Sequence, residues 1–523
     1  MKKIKSLFTI VLALVLTVSC DDAIDIIQDG ELPMDLNTEA DLEQYLKGQI
    51  YRNLDASSEI ALTAVFTDEV SIGVDNGGQD ISLHRFFLNQ SDGYVADIWL
   101  THYTVINGVN RLLKESVKIP ETATSKSILA EARVIRAYSY LQLLSYFSTN
   151  MADENALGVM LLDFVPELNT RLPRVSNSLI YQLIEQDLEY ADLNYVSTQG
   201  ATASSAYKYV SKNLINSIYA RMYLYRKNYL LAQQYAEKVK NESGLSLTVA
   251  KKITPTDTDN NPSTPLVNVT SYPYQLMWAD VLNNLVEVAP NTPKASEIIF
   301  ALSRPTEGTW GNIASAFYFN STDKAGGAFL EMGRNLFNSL KSVPGDRRAT
   351  DFVDGNNPGD PDYDIIADYI AKDILPINKY PGKGSQPLRN DLKIFRLSEI
   401  YFILAEAAIF QGDLPTAAGY IKNVRDARNE NGPVTLPTYA SPAAALGDLL
   451  DERRKELCYE GFRYLDIKRL GALAGKSIDR HPTDDQIKSL PTTISNADYR
   501  FTLPIPQAEV SGNPTIQQNP GYN

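Results

Sequence analysis

Two stretches of this chain repeat one another. Setting Ala220 against Ala405 also sets Ala232 against Ala417, twelve residues later in each copy, and places Lys227-Asn228 opposite Gly412-Asp413. Small residues at two fixed places on either side of a turn let antiparallel helices approach closely. The pattern therefore predicts tetratricopeptide-like helix pairs, which bury their apolar faces only by stacking on neighbours. In the second copy Tyr401, Leu404, Ala408, Ile421 and Val424 fall at core positions.

Helical periodicity elsewhere agrees. Asn37 or Thr38, followed by an acidic turn, caps a helix to about Leu54. Further helices are predicted at Asp97 to Glu115, Lys126 to Phe147, Ser176 to Leu193, Ser211 to Arg226, Tyr229 to Lys240, Leu397 to Phe410, Leu414 to Asn429 and Pro442 to Arg469. Between 242 and 390 the pattern gives way to Pro, Asn, Asp, Gly and Thr clusters with strand-like runs such as Glu297 to Leu302. Such a block inside a compact protein is where a binding surface is built. The expected fold is mainly α: a helical scaffold over 38–241 and 391–523, with an irregular, loop-rich sub-lobe over 242–390 carrying short strands.

The N-terminus sets the address. Lys2, Lys3 and Lys5 precede an apolar run from Leu7 to Val18, about twelve residues and too short to span a bilayer, which stops at Ser19-Cys20-Asp21-Asp22. Residues 1–19 read as an export signal, Cys20 as the lipidated residue, and 20–37 as an acidic tether. Losing the leader removes three lysines and no acids, so the net charge goes from −14 to −17. That balance argues against nucleic acid or anionic lipid as a partner, leaving the lipid anchor as the membrane contact. With Cys20 acylated, Cys458 has no partner for a disulfide. His84, His102 and His481 are not at metal-ligand spacing, and His102 reads as a packed core residue.

Several motifs imitate chemistry without completing it. Gly471-x3-Gly475-Lys476-Ser477 is one residue short of a phosphate loop, and Asp257-x-Asp259-x-Asn261 has Pro262 where a calcium loop needs Gly. Asp354 to Asp364 carries oxygen donors that suit calcium, but a solvated acidic turn accounts for them. No cofactor or metal is expected. Glu452, Glu456 and Glu460, interleaved with Arg453, Arg454, Arg463 and Arg469, read as charged ladders of exposed pairs along one helix rather than as a catalytic carboxylate pair. Glu131, Arg133 and Arg136 read as residues that stitch helices together.

Taken in order, these segments resemble the SusD/RagB family of Bacteroidetes outer-membrane nutrient-uptake lipoproteins. The resemblance runs through Ile98-Trp99 with Tyr103 and Asn110, Ala130-Glu131-Ala132-Arg133 with Arg136, Arg174 with Asp187, Asp346-Arg347-Arg348 and Lys379-Tyr380. It is densest in Arg396-Leu397-Ser398-Glu399, Leu404-Ala405-Glu406-Ala407, Glu452-Arg453-Arg454, Glu460-Gly461-Phe462-Arg463, Leu503-Pro504-Ile505-Pro506 and Gln518-Asn519-Pro520-Gly521. It implies a lipid-anchored protein on the outer face of the outer membrane. Such a protein binds oligo- or polysaccharide and hands it, as a lid, to a TonB-dependent SusC-like transporter.

Capturing sugar takes flat aromatic faces and polar groups for hydroxyls, and no covalent chemistry, so the chain is not expected to be an enzyme. At least one of Trp278 and Trp310 is expected to be a stacking platform, while Trp99 reads as core. Asp68, Asn76, Arg85 and Tyr94, around the polar loop 68–94, are candidates for hydroxyl contacts, with Tyr318 and Tyr380 as further aromatics. The acidic charge disfavours polyanionic glycans, so a neutral glucan is the expected ligand. The alternatives are a tetratricopeptide-like interaction scaffold, a peptide-uptake receptor, and a glycoside hydrolase, which would need two carboxylates about 5–10 Å apart across a cleft.

Overall fold

The computed structural model describes residues 36–196, 206–252, 272–280, 297–303, 328–355, 359–382 and 390–522. Cys20, Trp310, Tyr318 and the Asp257 motif lie outside them. The principal helices are α1 Glu39–Tyr45, α2 Ser57–Phe66, α3 Gly93–Ser116, α4 Ala123–Phe147, α5 Asn177–Asn194, α6 Lys212–Tyr225, α7 Tyr229–Glu242, α8 Leu397–Phe410, α9 Leu414–Arg428 and α10 Pro442–Leu457. From α3 onward each packs on the next, so the helices form one continuous stack in which α7 joins the first repeat to α8 of the second.

Local chemistry explains the repeat. In both copies the helix ends with a left-handed residue, Lys227 (φ 59°) or Gly412 (φ 83°). In both, the next backbone N–H reaches back five residues, from Asn228 to Tyr223 O and from Asp413 to Ala408 O. That same residue then caps the following helix, Asn228 Oδ1 accepting from Leu231 N and Asp413 Oδ1 from Thr416 N. Ala220, Ala232, Ala405 and Ala417 are all fully buried, as close helix approach requires, whereas Tyr401 is only half-buried. At the N-terminus Thr38 is the cap of α1, forming a reciprocal capping box with Asp41.

Two helical expectations need correction. Helix α2 has no counterpart among them, because eight of its ten residues, Glu59 to Phe66, are buried and so carry no amphipathic period. The predicted helix from Pro442 to Arg469 stops at Leu457. Tyr459 takes φ 61° and Gly461 φ 84°, and the Tyr459 N–H donates to Glu69 Oε2 (3.1 Å) instead of continuing the helix. Helical structure resumes at Arg463–Asp466.

That break removes the exposed ladder. Glu452 and Glu456 are buried, and Glu460, half-buried as a residue, has its side chain covered. Glu456 accepts from Arg428 (2.8 and 3.0 Å), Arg396 (2.9 Å) and Arg348 (3.1 Å). Glu460 accepts from Lys379 and Arg396, each at 2.7 Å, and Glu297 from Arg428 and Arg396. The network fastens residues of the irregular block, Glu297, Arg348 and Lys379, to the helical stack. The role is ion pairing, as expected, but in the interior, where losing one partner costs far more than at a surface. Arg133 and Arg136 likewise join α4 to Asp187 of α5.

Three two-stranded antiparallel sheets complete the described structure: β1 Val70–Ile72 with β5 Leu330–Met332, β2 Leu157–Met160 with β3 Arg174–Ser176, and β4 Ile298–Leu302 with β6 Leu392–Arg396. β4 and β1 thus pull parts of the irregular block onto the scaffold.

Candidate functional site

The polar loop after β1 is held by backbone pairing. Gly73 N donates to Phe329 O and Asp75 N to Ala328 O, while Asn76 Nδ2 donates to Phe329 O and Asn76 Oδ1 accepts from Gly78 N. Gly73 permits this approach, since a Cβ there would lie 2.3 Å from Ala328 O. The chain then makes a helical turn at Ile81–His84, and Phe86 adopts φ 64°. This reversal buries Phe86 and leaves Phe87 69% exposed.

Opposite lies the C-terminal loop 480–492. Arg480 holds it down by donating to the carbonyls of Val65, Phe66, Thr67 and His84, so its guanidinium caps the C-terminal end of α2 while stacking 4.2 Å from the Phe86 ring. Between the two loops is a cleft of about 190 Å³ whose lining includes Arg85, Phe87, His481, Asp485, Ile487 and Leu490. Its floor is a bidentate pair: Arg85 Nε and Nη2 donate to the two Asp485 carboxylate oxygens, each at 2.9 Å. Ile487 N and the Tyr369 hydroxyl fix Asp485 from behind. Burial would raise the Asp485 carboxyl, but the nearby His84 ring, its Nδ1 3.6 Å away, and the hydrogen bonds from Arg85 hold it below the usual range. Burial also pushes the His84 imidazole down to about 4, so it is neutral at physiological pH.

The neighbouring Asp484 is buried, which raises it to about 6, and its two oxygens accept from Arg334 N and His481 N. The cleft thus combines an exposed aromatic ring, an apolar rim at Ile487 and Leu490, and a charge-balanced polar floor. That equipment suits non-covalent recognition of a solute with both apolar and hydroxylated surface.

Of the residues singled out from the sequence, Arg85 lies in this cleft. Tyr94 is not among the residues lining it; it is half-buried, its hydroxyl donating to Asp80. Asp68 and Asn76 were expected to meet hydroxyls, but both are buried and committed to the fold. Asp68 accepts from Arg463 (2.9 and 2.8 Å) and Asp479 N, and burial is overcome by Arg454 and Arg463, which keep it ionised. Trp278 is corrected from platform to core: Tyr274, Phe352 and Tyr380 pack edge-on around it, with Lys379 4.4 Å from the ring. Tyr380 is equally interior, its hydroxyl donating to Tyr459 O at 2.6 Å. Trp99 is core as read, packed on Tyr103 and Phe147, and His102 is buried against Glu59 (2.7 Å). The sequence reading missed Phe87, His481 and Asp485. The Phe86-Phe87 doublet was the available signal, but only the positive φ at Phe86 decides which ring faces water.

Stacked helical repeats that carry a loop-built cleft define a class of helical-repeat scaffolds. The fold is that of the SusD superfamily: a solved member from Bacteroides thetaiotaomicron superposes with a TM-score of 0.68 at 24% identity, covering 92% of this chain and all of that one, and one from Bacteroides vulgatus with 0.70 at 20%, covering 93% and all of that one. The chain matches, over residues 375–522, the model described as SusD family. It is 22% identical to SusD-like protein P2 of Formosa agariphila over 93% of both chains. Over 132 residues, 25% of this chain and 22% of the relative, it is 31% identical to the starch-binding protein SusD of Bacteroides thetaiotaomicron.

Proposed function

We propose that this protein captures oligo- or polysaccharide at the bacterial surface and passes it to a TonB-dependent transporter, over which it acts as a lid. The observation that carries the glycan reading is the cleft, where the exposed Phe87 ring stands beside the paired Arg85 and Asp485. A pyranose offers C–H groups to such a ring and hydroxyls to such a floor. Kinship with a starch-binding protein supports the same reading. Because Arg85 and Asp485 neutralise each other, this pair offers no net charge to a polyanion, which favours a neutral glycan. Trp310 and Tyr318 remain proposed contributors: their segment rejoins the described chain at Ala328, which is bonded to Asp75.

Binding needs no bond cleavage, and the cleft carboxylates are committed to Arg85 and to backbone N–H groups, so no hydrolysis is proposed. Lipidation at Cys20 would hold the protein to the outer membrane; no described helix is long and apolar enough to cross one. Native gels cast with starch, β-glucan or pectin test the reading. Retardation by a neutral glycan with no release of reducing sugar supports it, and free migration through every gel refutes it. Replacing Cys20 by Ala should move the protein from membrane to soluble fractions. Copurification of a barrel protein with the wild type from detergent-solubilised membranes tests the transporter partnership.

A further inference from the structure

A second cavity, of about 270 Å³, opens where the first repeat turns. It lies between the residues following α4, the α6–α7 turn, Glu406 of α8 and the helical segment Ile467–Gly471. Its size is below the roughly 300–1,000 Å³ of drug-sized pockets. Three cations line it. Arg469 is spoken for, donating to both Glu406 oxygens (2.7 and 3.2 Å) and to Asp466, yet its buried Nε has no partner. Lys468 donates to Ser145 O and Ser148 O, the last carbonyls of α4, which uses two of its three N–H donors, and no described carboxylate pairs with it. Lys227 is exposed and unpaired among the described residues.

Lys227 is also the wrong residue for its backbone. At φ 59° it occupies the left-handed position that Gly412 fills in the second repeat, where a side chain is disfavoured. A strained residue at the mouth of a cavity is an observation from which function can be inferred. Here it adds positive charge beside a lysine that lacks a counterion, in a chain of net charge −14.

We propose that this cavity binds a small solute, of about monosaccharide size, through a carboxylate held by Lys227, Lys468 and the free Arg469 Nε–H, with the Tyr225 and Tyr229 rings as walls. Glu406 in the wall favours a monoanion over a phosphate dianion. Burial presses the Lys468 ammonium down to about 7, and an arriving carboxylate would restore its charge. The site is distinct from the glycan cleft, and its failure would leave that reading untouched.

The test is isothermal titration of the full chain with galacturonate, acetate, phosphate and galactose. Galacturonate binding, with acetate weaker and galactose silent, is expected. In Lys227→Gly, which relieves the backbone strain and so keeps the fold, galacturonate binding should weaken about tenfold with the melting temperature unchanged or higher. Lys468→Met should abolish it, provided the circular dichroism spectrum is retained. No heat with either carboxylate, tighter binding of phosphate, equal binding of galactose, or an unaltered affinity in Lys227→Gly would each overturn the assignment.

Discussion

Arg428 sits at the centre of the buried ion network. Its Nε and Nη2 donate to Glu456 (3.0 and 2.8 Å), Nη2 also to Glu297 (2.8 Å), and Nη1 to Thr248 O (2.6 Å), all fully buried. Replacing it by Met keeps most of the apolar stem and removes the charge. Glu456 retains Arg396 and Arg348, but Glu297 and the Thr248 carbonyl lose partners in a place water does not reach. Breaking a buried pair from one side costs about 3–5 kcal/mol. At about 2.1 cal/mol/K per residue over the roughly 410 described residues, the unfolding entropy is about 0.9 kcal/mol/K, so the melting temperature should fall by about 3–6 °C if they unfold as one unit. Lys372→Met, which breaks an exposed pair with Asp368 (3.1 Å), is the control and should cost a few tenths of a kcal/mol. Scanning calorimetry and urea unfolding measure both. The acid limb adds a second check. Burial opposes ionisation of Glu456, but Arg428 and Arg396 hold its folded value well below 4.5, so its stabilisation is present above about pH 4.5 and lost as pH falls below that. Arg428→Met should therefore lose less stability than the wild type between pH 5 and 3. A cost for Arg428→Met no larger than for Lys372→Met would refute the claim that this network fastens the irregular block to the scaffold.

Glu69 titrates in the opposite sense. Burial raises it to about 8, so the fold favours the protonated acid, and that contribution is present below about pH 4.5 and lost as pH rises through 8. Glu69→Gln should match the wild type near pH 4.5 and exceed it by a few kcal/mol, on the order of 2–4, at pH 9, as read from urea unfolding at both pH values. Gly73→Ala places a Cβ against Ala328 O and should cost about 1–3 kcal/mol while loosening the loop that flanks the cleft, seen as faster amide exchange at Asp75. Arg85→Ala leaves Asp485 without its bidentate partner and should raise the mobility of loop 480–492, readable as new proteolytic cleavage there.

The helical stack was legible because its determinants are local. Small residues at fixed spacing, a turn and a cap recur in both repeats, and the helix boundaries follow them to within a few residues. Helix α2 was not legible, since burial on all sides erases the periodicity that marks a helix. The break at Tyr459 depends on Glu69, 390 positions away, and no window around Tyr459 contains that partner. The same distance problem governs the charged residues. Glu456 beside Arg453 and Arg454 looks like an exposed ladder until Arg396, Arg428 and Arg348 arrive from other elements. For the cleft, Arg85 was legible by its residue type in a polar loop, but Asp485 is 400 positions further along the chain. Asp68, Asn76 and Trp278 show the converse error: residue types suited to a sugar are equally suited to pinning a loop or filling a core.

Glycan capture in the cleft is best tested by titrating soluble starch oligosaccharides and β-glucan oligosaccharides into the wild type and into Phe87→Ala. Because Phe87 is 69% exposed, its truncation should change stability by less than about 0.5 kcal/mol. Loss of one stacking face should weaken binding by about tenfold, on the order of 1.4 kcal/mol. A wild type that binds at least one neutral oligosaccharide, together with a stable Phe87→Ala that binds it about tenfold more weakly, is the predicted result. Undiminished binding in Phe87→Ala, or a wild type that binds no glycan, would contradict it.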